Sequence, residues 1–350
     1  MLSTRPIKRR YPPGSRLMAE FFSFLRCPIT GSKLNRVDER VLEAQQGGRR
    51  YPVVHGIPDF RLFDPPYMGR AAEHEVVDRL MLEAQTLGYE DLVRLLEREL
   101  MPQTSSERID KGIAHRLQLK NRAPARLLEL VNRAGGIQLP EKCVALDLGC
   151  GSGEASIALR ELGAGEILGL DISLIELALA KKLLAEQGVE SFLVAGCAEA
   201  LPFSSDLFDF VYSPDVIEHV TDQFKYFKEA HRVLKTGGQV LLNSPNRYSV
   251  VCPEPHVGIW GLTFLPRVLI DPACRMMGKG PYIGKRLVSL PELRALVRKN
   301  FPRFNISSRE SNPNASSVPG KIYHTLRPAS VRIFNYVADQ HVVLAEKTAG

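Results

Sequence analysis

The chain has 350 residues, 44% of them apolar, and a formal net charge of +7. That length suffices for two domains with a sizeable core, and no apolar run approaches the roughly 18 residues of a membrane-spanning helix. Residues 1–70 hold 13 Lys/Arg against 6 Asp/Glu, so the basic excess is N-terminal and the rest is balanced, which argues against nucleic acid as a partner of the larger part.

Residues 1–20 read as a basic tail around Lys8-Arg9-Arg10. It is a solvated segment or a contact for an anionic membrane or nucleic acid. Its first 19 residues lack any acid, as a transit peptide would. Residues 21–66 form a separate small unit. Its Phe21–Leu34 segment, with Cys27-Pro-Ile-Thr30-Gly, resembles the first knuckle of a zinc ribbon, and Arg49–Phe60 resembles a closing strand. Together they resemble the small zinc-ribbon-like family that serves as activator subunit for methyltransferases. A structural zinc needs four Cys or His ligands. Cys27 and His55 are too few and Thr30 stands where the second ligand should be, so the unit is expected to be metal-free. Residues 67–135 are a helical cap: Asp91–Leu100 and Ala125–Val131 are amphipathic, and Pro102 and Gly112 punctuate them.

Residues 144–156 are the most informative. An apolar run ends in Asp147, then in Gly149, Cys150, Gly151 and Gly153, and a helix-forming run follows. Glycine admits positive φ and lets a ligand approach the backbone, and the helix start adds unpaired N–H groups. A dinucleotide turn would be Gly-x-Gly-x-x-Gly; here the last glycine is replaced by Glu154 or Ser156, and Asp147 would repel a phosphate. A ligand with cationic ammonium and sulfonium groups suits the site better. The motif resembles the acid-x-Gly-x-Gly-x-Gly of class I S-adenosylmethionine-dependent methyltransferases. Further segments match in order: Glu166–Asp171, Ala195–Phe203, Leu207–Ser213, Glu229–Gly238 and Gln239–Asn246. The resemblance implies an α/β fold, a Rossmann-like seven-stranded sheet whose last strand is antiparallel, within residues 136–350. It implies cofactor contacts from Asp147, Gly149, Cys150, Gly151 and Gly153, from Asp171 and Ile172 at the ribose, and from Cys197, Ala198, Glu199 and Ser213 about the adenine and strand four. Cys197 stands where relatives often carry Asp.

Residues 248–290 are a long insertion with Trp260, prolines and basic residues, read as a substrate lid. Its apolar face could touch a peripheral membrane or a homodimer partner. Asp215-Val-Ile-Glu-His219 follows strand four. On one helical turn, Asp215, Glu218 and His219 would share a face; they could hold Mg²⁺, or His219 could act as a metal-free base. A similar run occurs in ubiquinone-pathway O-methyltransferases. His256 on the lid is the second base candidate, and Tyr212, Tyr248 and Asn246 could orient the acceptor. Together these features imply an enzyme using S-adenosylmethionine to methylate a small-molecule acceptor, at an oxygen of an aromatic, lipid-like or natural-product substrate. The alternatives are a tRNA or translation-protein methyltransferase, and a non-catalytic cofactor-binding partner. The six cysteines show no Cys-x-x-Cys pair and read as the reduced thiols of a cytoplasmic protein.

Overall fold

The computed structural model describes residues 21–100, 106–309, 325 and 335–349. The basic tail and Pro102 lie outside the described residues. Short strands β1 (Leu34–Arg36), β2 (Val41–Ala44), β3 (Arg50–Val54) and β4 (Ile57–Pro58) form an antiparallel sheet in sequence order. Gly47 and Gly48, at φ 80° and 59°, make the reversal between β2 and β3. At the cysteine knuckle the Thr30 N–H donates to Cys27 Sγ, and the Tyr51 hydroxyl lies 3.0 Å from that sulfur. His55 instead meets Asp78 at 2.6 Å.

The cap comprises α1 (Arg70–Glu83), α2 (Tyr89–Leu95), a π-helical turn Leu96–Leu100, and α3 (Ser106–Arg133). Pro124 lies inside α3, which runs through the expected 125–131 segment without a break. Next come β5 (Val144–Leu148), α4 (Glu154–Leu162), β6 (Glu166–Asp171), α5 (Leu174–Glu186), β7 (Phe192–Ala195), β8 (Phe208–Pro214), α6 (Gln223–Val233) and β9 (Leu234–Pro245). The lid carries α7 (Arg267–Met276), and α8 (Leu290–Asn300), β10 (Arg303–Arg309) and β11 (Gln340–Glu346) close the chain.

Seven strands order as β10-β11-β9-β8-β5-β6-β7. Neighbours from β9 to β7 are parallel, and β11 is antiparallel to both β9 and β10. This is the Rossmann-like sheet expected from the sequence. The chain winds outward in opposite directions from β5 and β8, so the crevice at their C-terminal ends is where such sheets place ligands.

The N-terminal sheet is not set apart. Phe21, Leu25, Tyr51 and Phe60 share one buried cluster with Leu146, Leu148, Phe203 and Phe208. The Phe60 N–H donates to the carbonyl of Ala195 at 2.8 Å, so the chain after β4 covers the open edge at the end of β7. One buried guanidinium fixes this junction. Arg61 pairs with Asp59 at 2.7 Å and with Glu73 of α1 at 2.5 Å, and donates to the carbonyl of Ile172 at 3.0 Å. Glu73 also accepts from the Leu174 N–H and the Tyr67 hydroxyl, which itself reaches Ser173 Oγ at 2.6 Å. Removing one partner of such a set leaves buried charge uncompensated. Arg61→Met is therefore expected to destabilise the chain by about 3–5 kcal/mol, read as a lower urea midpoint at unchanged slope.

Candidate active site

The glycine turn has the conformation its sequence requires. Gly149, Gly151 and Gly153 sit at φ 79°, 49° and 88°. A Cβ on Gly149 would lie 2.3 Å from Val216 Cγ2, so the turn packs directly on the segment after β8. A Cβ on Gly151 would meet nothing within 4 Å; that side is open to a ligand. Asp147 is fully buried beneath the turn. Its Oδ2 accepts from Ser156 Oγ at 2.7 Å, while its Oδ1 has no hydrogen-bond partner. Burial, only partly offset by Ser156 and reinforced by Glu154 and Asp171, pushes its pKa up to about 7.

Asp171 ends β6. Its Oδ2 accepts from the Gly151 N–H and its Oδ1 from the Ser173 N–H, both at 2.9 Å. Each oxygen keeps a lone pair for a ribose hydroxyl. Burial, against these backbone hydrogen bonds, raises its pKa to about 6. Ile172 offers its carbonyl to Arg61. Above the turn, Glu97, Gly112, His115, Arg116 and Leu119 of the cap face Gly151, Ser152, Glu154 and Glu176 across a cavity of about 440 Å³. Arg116 bridges Glu97 and Glu176, both at 2.7 Å, and the Tyr89 hydroxyl donates to Glu154 at 3.1 Å. These contacts bring the cap helices over the glycine turn. Arg116 and Tyr89 carried no signal in the sequence.

Other expected contacts turn inward. Cys150 is buried against Gly169 of β6. Ser213 Oγ donates to the carbonyl of Leu148 inside the sheet, which leaves it no proton for a ligand. Cys197 Sγ accepts from the Leu62 N–H at 3.4 Å, so the N-terminal unit packs directly against Cys197. Ala198 is buried beside it. Glu199 Oε1 accepts from the N–H groups of Thr221 and Asp222.

The acid-rich segment after β8 departs from expectation. Residues 215–219 form a turn closed by the His219 N–H on the carbonyl of Val216, and the helix begins only at Gln223. Asp215, at φ 54°, leaves the others: it pairs with Arg126 of α3 and accepts from Asn243 Nδ2 at 2.5 Å. The shared helical face of Asp215, Glu218 and His219 therefore does not form. A turn rotates each residue differently, and Arg126 draws Asp215 to the other side. Asn246 is likewise taken up by the carbonyls of Tyr336 and Ala338, while Tyr212 is buried in the sheet and Tyr248 stacks near Phe264.

His219 meets the lid instead. Its Nε2 lies 3.3 Å from Nε2 of His256, with the rings perpendicular. His256 Nδ1 is 2.6 Å from Glu254 Oε1, and Tyr282 donates to the same oxygen at 2.8 Å. The His256 and Val257 N–H groups donate to Glu254 Oε2. Burial alone would raise the Glu254 pKa, but the hydrogen bonds from His256, Tyr282 and Val257 hold it below the usual carboxylate range. His219 is exposed at its edge, but desolvation of the ring, then His256 and Lys285, push its pKa down, so it is neutral at physiological pH. Glu218 is buried with an unpartnered Oε2, and burial followed by the charge of Asp215 pushes its pKa well up. Ligand atoms of Glu218, His219 and His256 lie within 4.8 Å of one another. Two imidazoles and a carboxylate suit a borderline transition ion better than Mg²⁺. Glu254 and Tyr282 were missed because nothing in a loop sequence marks which acid will be buried.

Comparison with known proteins bears on the middle of the chain. Residues 146–242 match the family profile described as methyltransferase domain. A demethylmenaquinone methyltransferase of Bacillus velezensis is 40% identical over 108 residues, 30% of this chain and 46% of that protein. A ubiquinone biosynthesis O-methyltransferase of Cereibacter sphaeroides is 30% identical over 155 residues, 44% of this chain and 58% of that protein. The chain thus spans about half the length of the curated relatives it matches. A Haemonchus contortus phosphoethanolamine N-methyltransferase 2 superposes with a TM-score of 0.47 at 16% identity, covering 76% of this chain and 61% of that one. The strand order, not that likeness, defines the fold of the methyltransferase domain.

Gly149→Ala in the methyltransferase domain forces a methyl against Val216 at an unfavourable φ. S-adenosylhomocysteine affinity, measured by titration calorimetry, is expected to fall at least about tenfold, the equivalent of roughly 1.4 kcal/mol.

Proposed function

We propose that the chain uses S-adenosylmethionine to methylate an oxygen of a small aromatic or lipid-like acceptor. The observation that carries this reading is the Glu254–His256 pair, set against His219 on the segment that packs on the glycine turn. The cofactor fits the residues present: an open face at Gly151, carboxylate oxygens at Asp171, and an unpartnered buried oxygen at Asp147 placed to attract a cationic ammonium. When bound, its sulfonium supplies a methyl group that needs no further activation.

The protein's part is then alignment, exclusion of water and removal of one proton. Glu254, held ionised, accepts the Nδ1–H of His256 and fixes that tautomer. The lone pair of His256 Nε2 then faces His219, and an acceptor hydroxyl that displaces the His219 Nε2 contact can give up its proton there. A neutral His219 adds no competing positive charge. The long insertion closes this side, and the cap closes the other. The names of two relatives, a demethylmenaquinone methyltransferase and a ubiquinone biosynthesis O-methyltransferase, support a small-molecule acceptor of this kind. The N-terminal sheet borders the adenine side through Leu62, so we infer that it acts as a built-in wall of the cofactor site, with no metal of its own.

The test is turnover. Purified full-length chain is assayed for S-adenosylhomocysteine release with a panel of hydroxylated aromatic and isoprenoid-bearing acceptors. Tight cofactor binding with no turnover on any acceptor would sink the reading and favour a non-catalytic partner. Glu254→Gln and His256→Ala are each expected to lower kcat about 10²-fold or more, with cofactor affinity unchanged.

Asp147 gives a second expectation. A cationic amine is attracted to the ionised carboxylate, and that form becomes populated as pH rises through about 7. Cofactor affinity should therefore increase between about pH 6 and 8, and Asp147→Asn should flatten the profile. The sign follows from a raised pKa: below it the acid is neutral and offers the ammonium only a weak dipole.

A further inference from the structure

The buried carboxylate of Glu254 is saturated with donors. A carboxylate offers about four acceptor directions over its two oxygens, and four donors fill them here. Oε2 takes the N–H groups of His256 and Val257 at 2.8 and 2.7 Å. Oε1 takes the Nδ1–H of His256 at 2.6 Å and the hydroxyl of Tyr282 at 2.8 Å. The first three donors lie within three residues of Glu254, so they would travel with the 254–257 turn wherever it went. Tyr282 stands 28 residues away, beyond α7, and of the four donors it alone ties the turn to another part of the chain.

Tyr282 is itself held in place. Its N–H donates to Asp271 Oδ1 at 2.6 Å, and Asp271 is paired with Arg275 at 2.8 Å. Its ring packs with Ile259, Leu262, Ile270 and Cys274 in a small satellite core, and Lys285 Nζ lies 5.6 Å from the ring centroid. Burial, then the charge of Glu254, pushes its pKa up, so the phenol stays protonated and remains a donor. Filling the fourth direction has two consequences. The carboxylate cannot turn without breaking buried hydrogen bonds, each costly to leave unmade. Glu254 also does not draw the Nδ1 proton off His256. When His256 Nε2 takes a proton from an acceptor hydroxyl, the O–H bond breaks and an Nε2–H bond forms. The imidazolium then keeps its Nδ1–H against an ionised partner.

The geometry points to Tyr282 as a positioning residue, whose hydroxyl anchors the Glu254 carboxylate and through it sets the direction of the His256 imidazole. The packing of α7 thereby becomes part of the support of the base. The inference rests on the reading of His256 as that base, so its test includes a readout that needs no turnover.

The experiment is Tyr282→Phe, which removes one oxygen and keeps the ring. kcat is expected to fall about tenfold, the size set by one hydrogen bond to a charged group, with acceptor KM and S-adenosylhomocysteine affinity unchanged. In the Glu254→Gln background the same substitution should lower kcat no further, because the carboxylate through which it acts is gone. Equal losses in the two backgrounds would mark Tyr282 as packing alone and overturn the inference, as would a wild-type kcat in the single variant. The second readout is the proton magnetic resonance spectrum of the full chain with isotope-labelled histidines, His256→Ala giving the assignment. The His256 Nδ1–H is expected far downfield and protected from water in the wild type. In Tyr282→Phe it should be lost to exchange broadening, while the melting temperature stays within a few degrees. A resonance that persists unchanged would overturn the inference whether or not any acceptor is methylated. Loss of the resonance with no turnover on any acceptor would sink the assigned reaction and leave the anchoring role standing.

Discussion

The buried pairing of Arg61 with Asp59 and Glu73 holds three parts of this molecule in one arrangement. A guanidinium removed from water must have its donors met by partners of fixed geometry, or the cost of desolvation is not recovered. Here those partners come from the chain after β4, from α1 and from the end of β6. Moving any one of them would strand charge in the interior. The N-terminal sheet and the first cap helix are therefore locked to the loop that presents Asp171, and this side of the crevice takes its shape from a residue more than a hundred positions earlier.

The crevice itself is strongly acidic. Asp147, Glu154, Asp171 and Glu176 converge near the glycine turn, with Arg116 as the nearby counter-charge. Burial, reinforced by repulsion from the neighbouring acids, raises the pKa of Glu154, like that of Asp147, to about 7. Without a ligand the site holds unfavourable electrostatic energy, relieved by protonation. A cationic ligand relieves it more fully, because it adds attraction where the protons only remove charge. That asymmetry favours a sulfonium and an ammonium over a nucleotide phosphate. It reaches by electrostatics the conclusion that the missing third glycine reaches by sterics.

The insertion of residues 248–290 buries Glu254, whose two oxygens accept from Tyr282, His256 and two backbone N–H groups, and so orients the His256 imidazole against His219. A small satellite core around Ile270 and Cys274 lets the insertion keep its own shape, so the orientation of His256 does not rest on the main sheet alone.

The sheet was legible through the resemblance of its ordered motifs, and the glycine turn through the positive φ that its glycines allow. His219 and His256 were visible as candidates, but not their meeting, since they stand 37 residues apart on a turn and an insertion. Asp215 was read into the wrong group because a helix was assumed where a turn forms, and Arg126 could not be foreseen as its partner. Cys150, Ser213 and Asn246 had suitable chemistry, yet their side chains are buried in the fold itself. Local sequence determines which backbone shapes are allowed and which side chains are available. Which of those side chains meet across the crevice, and which are used up inside, depends on contacts between distant segments, and only the packed tertiary structure decides that.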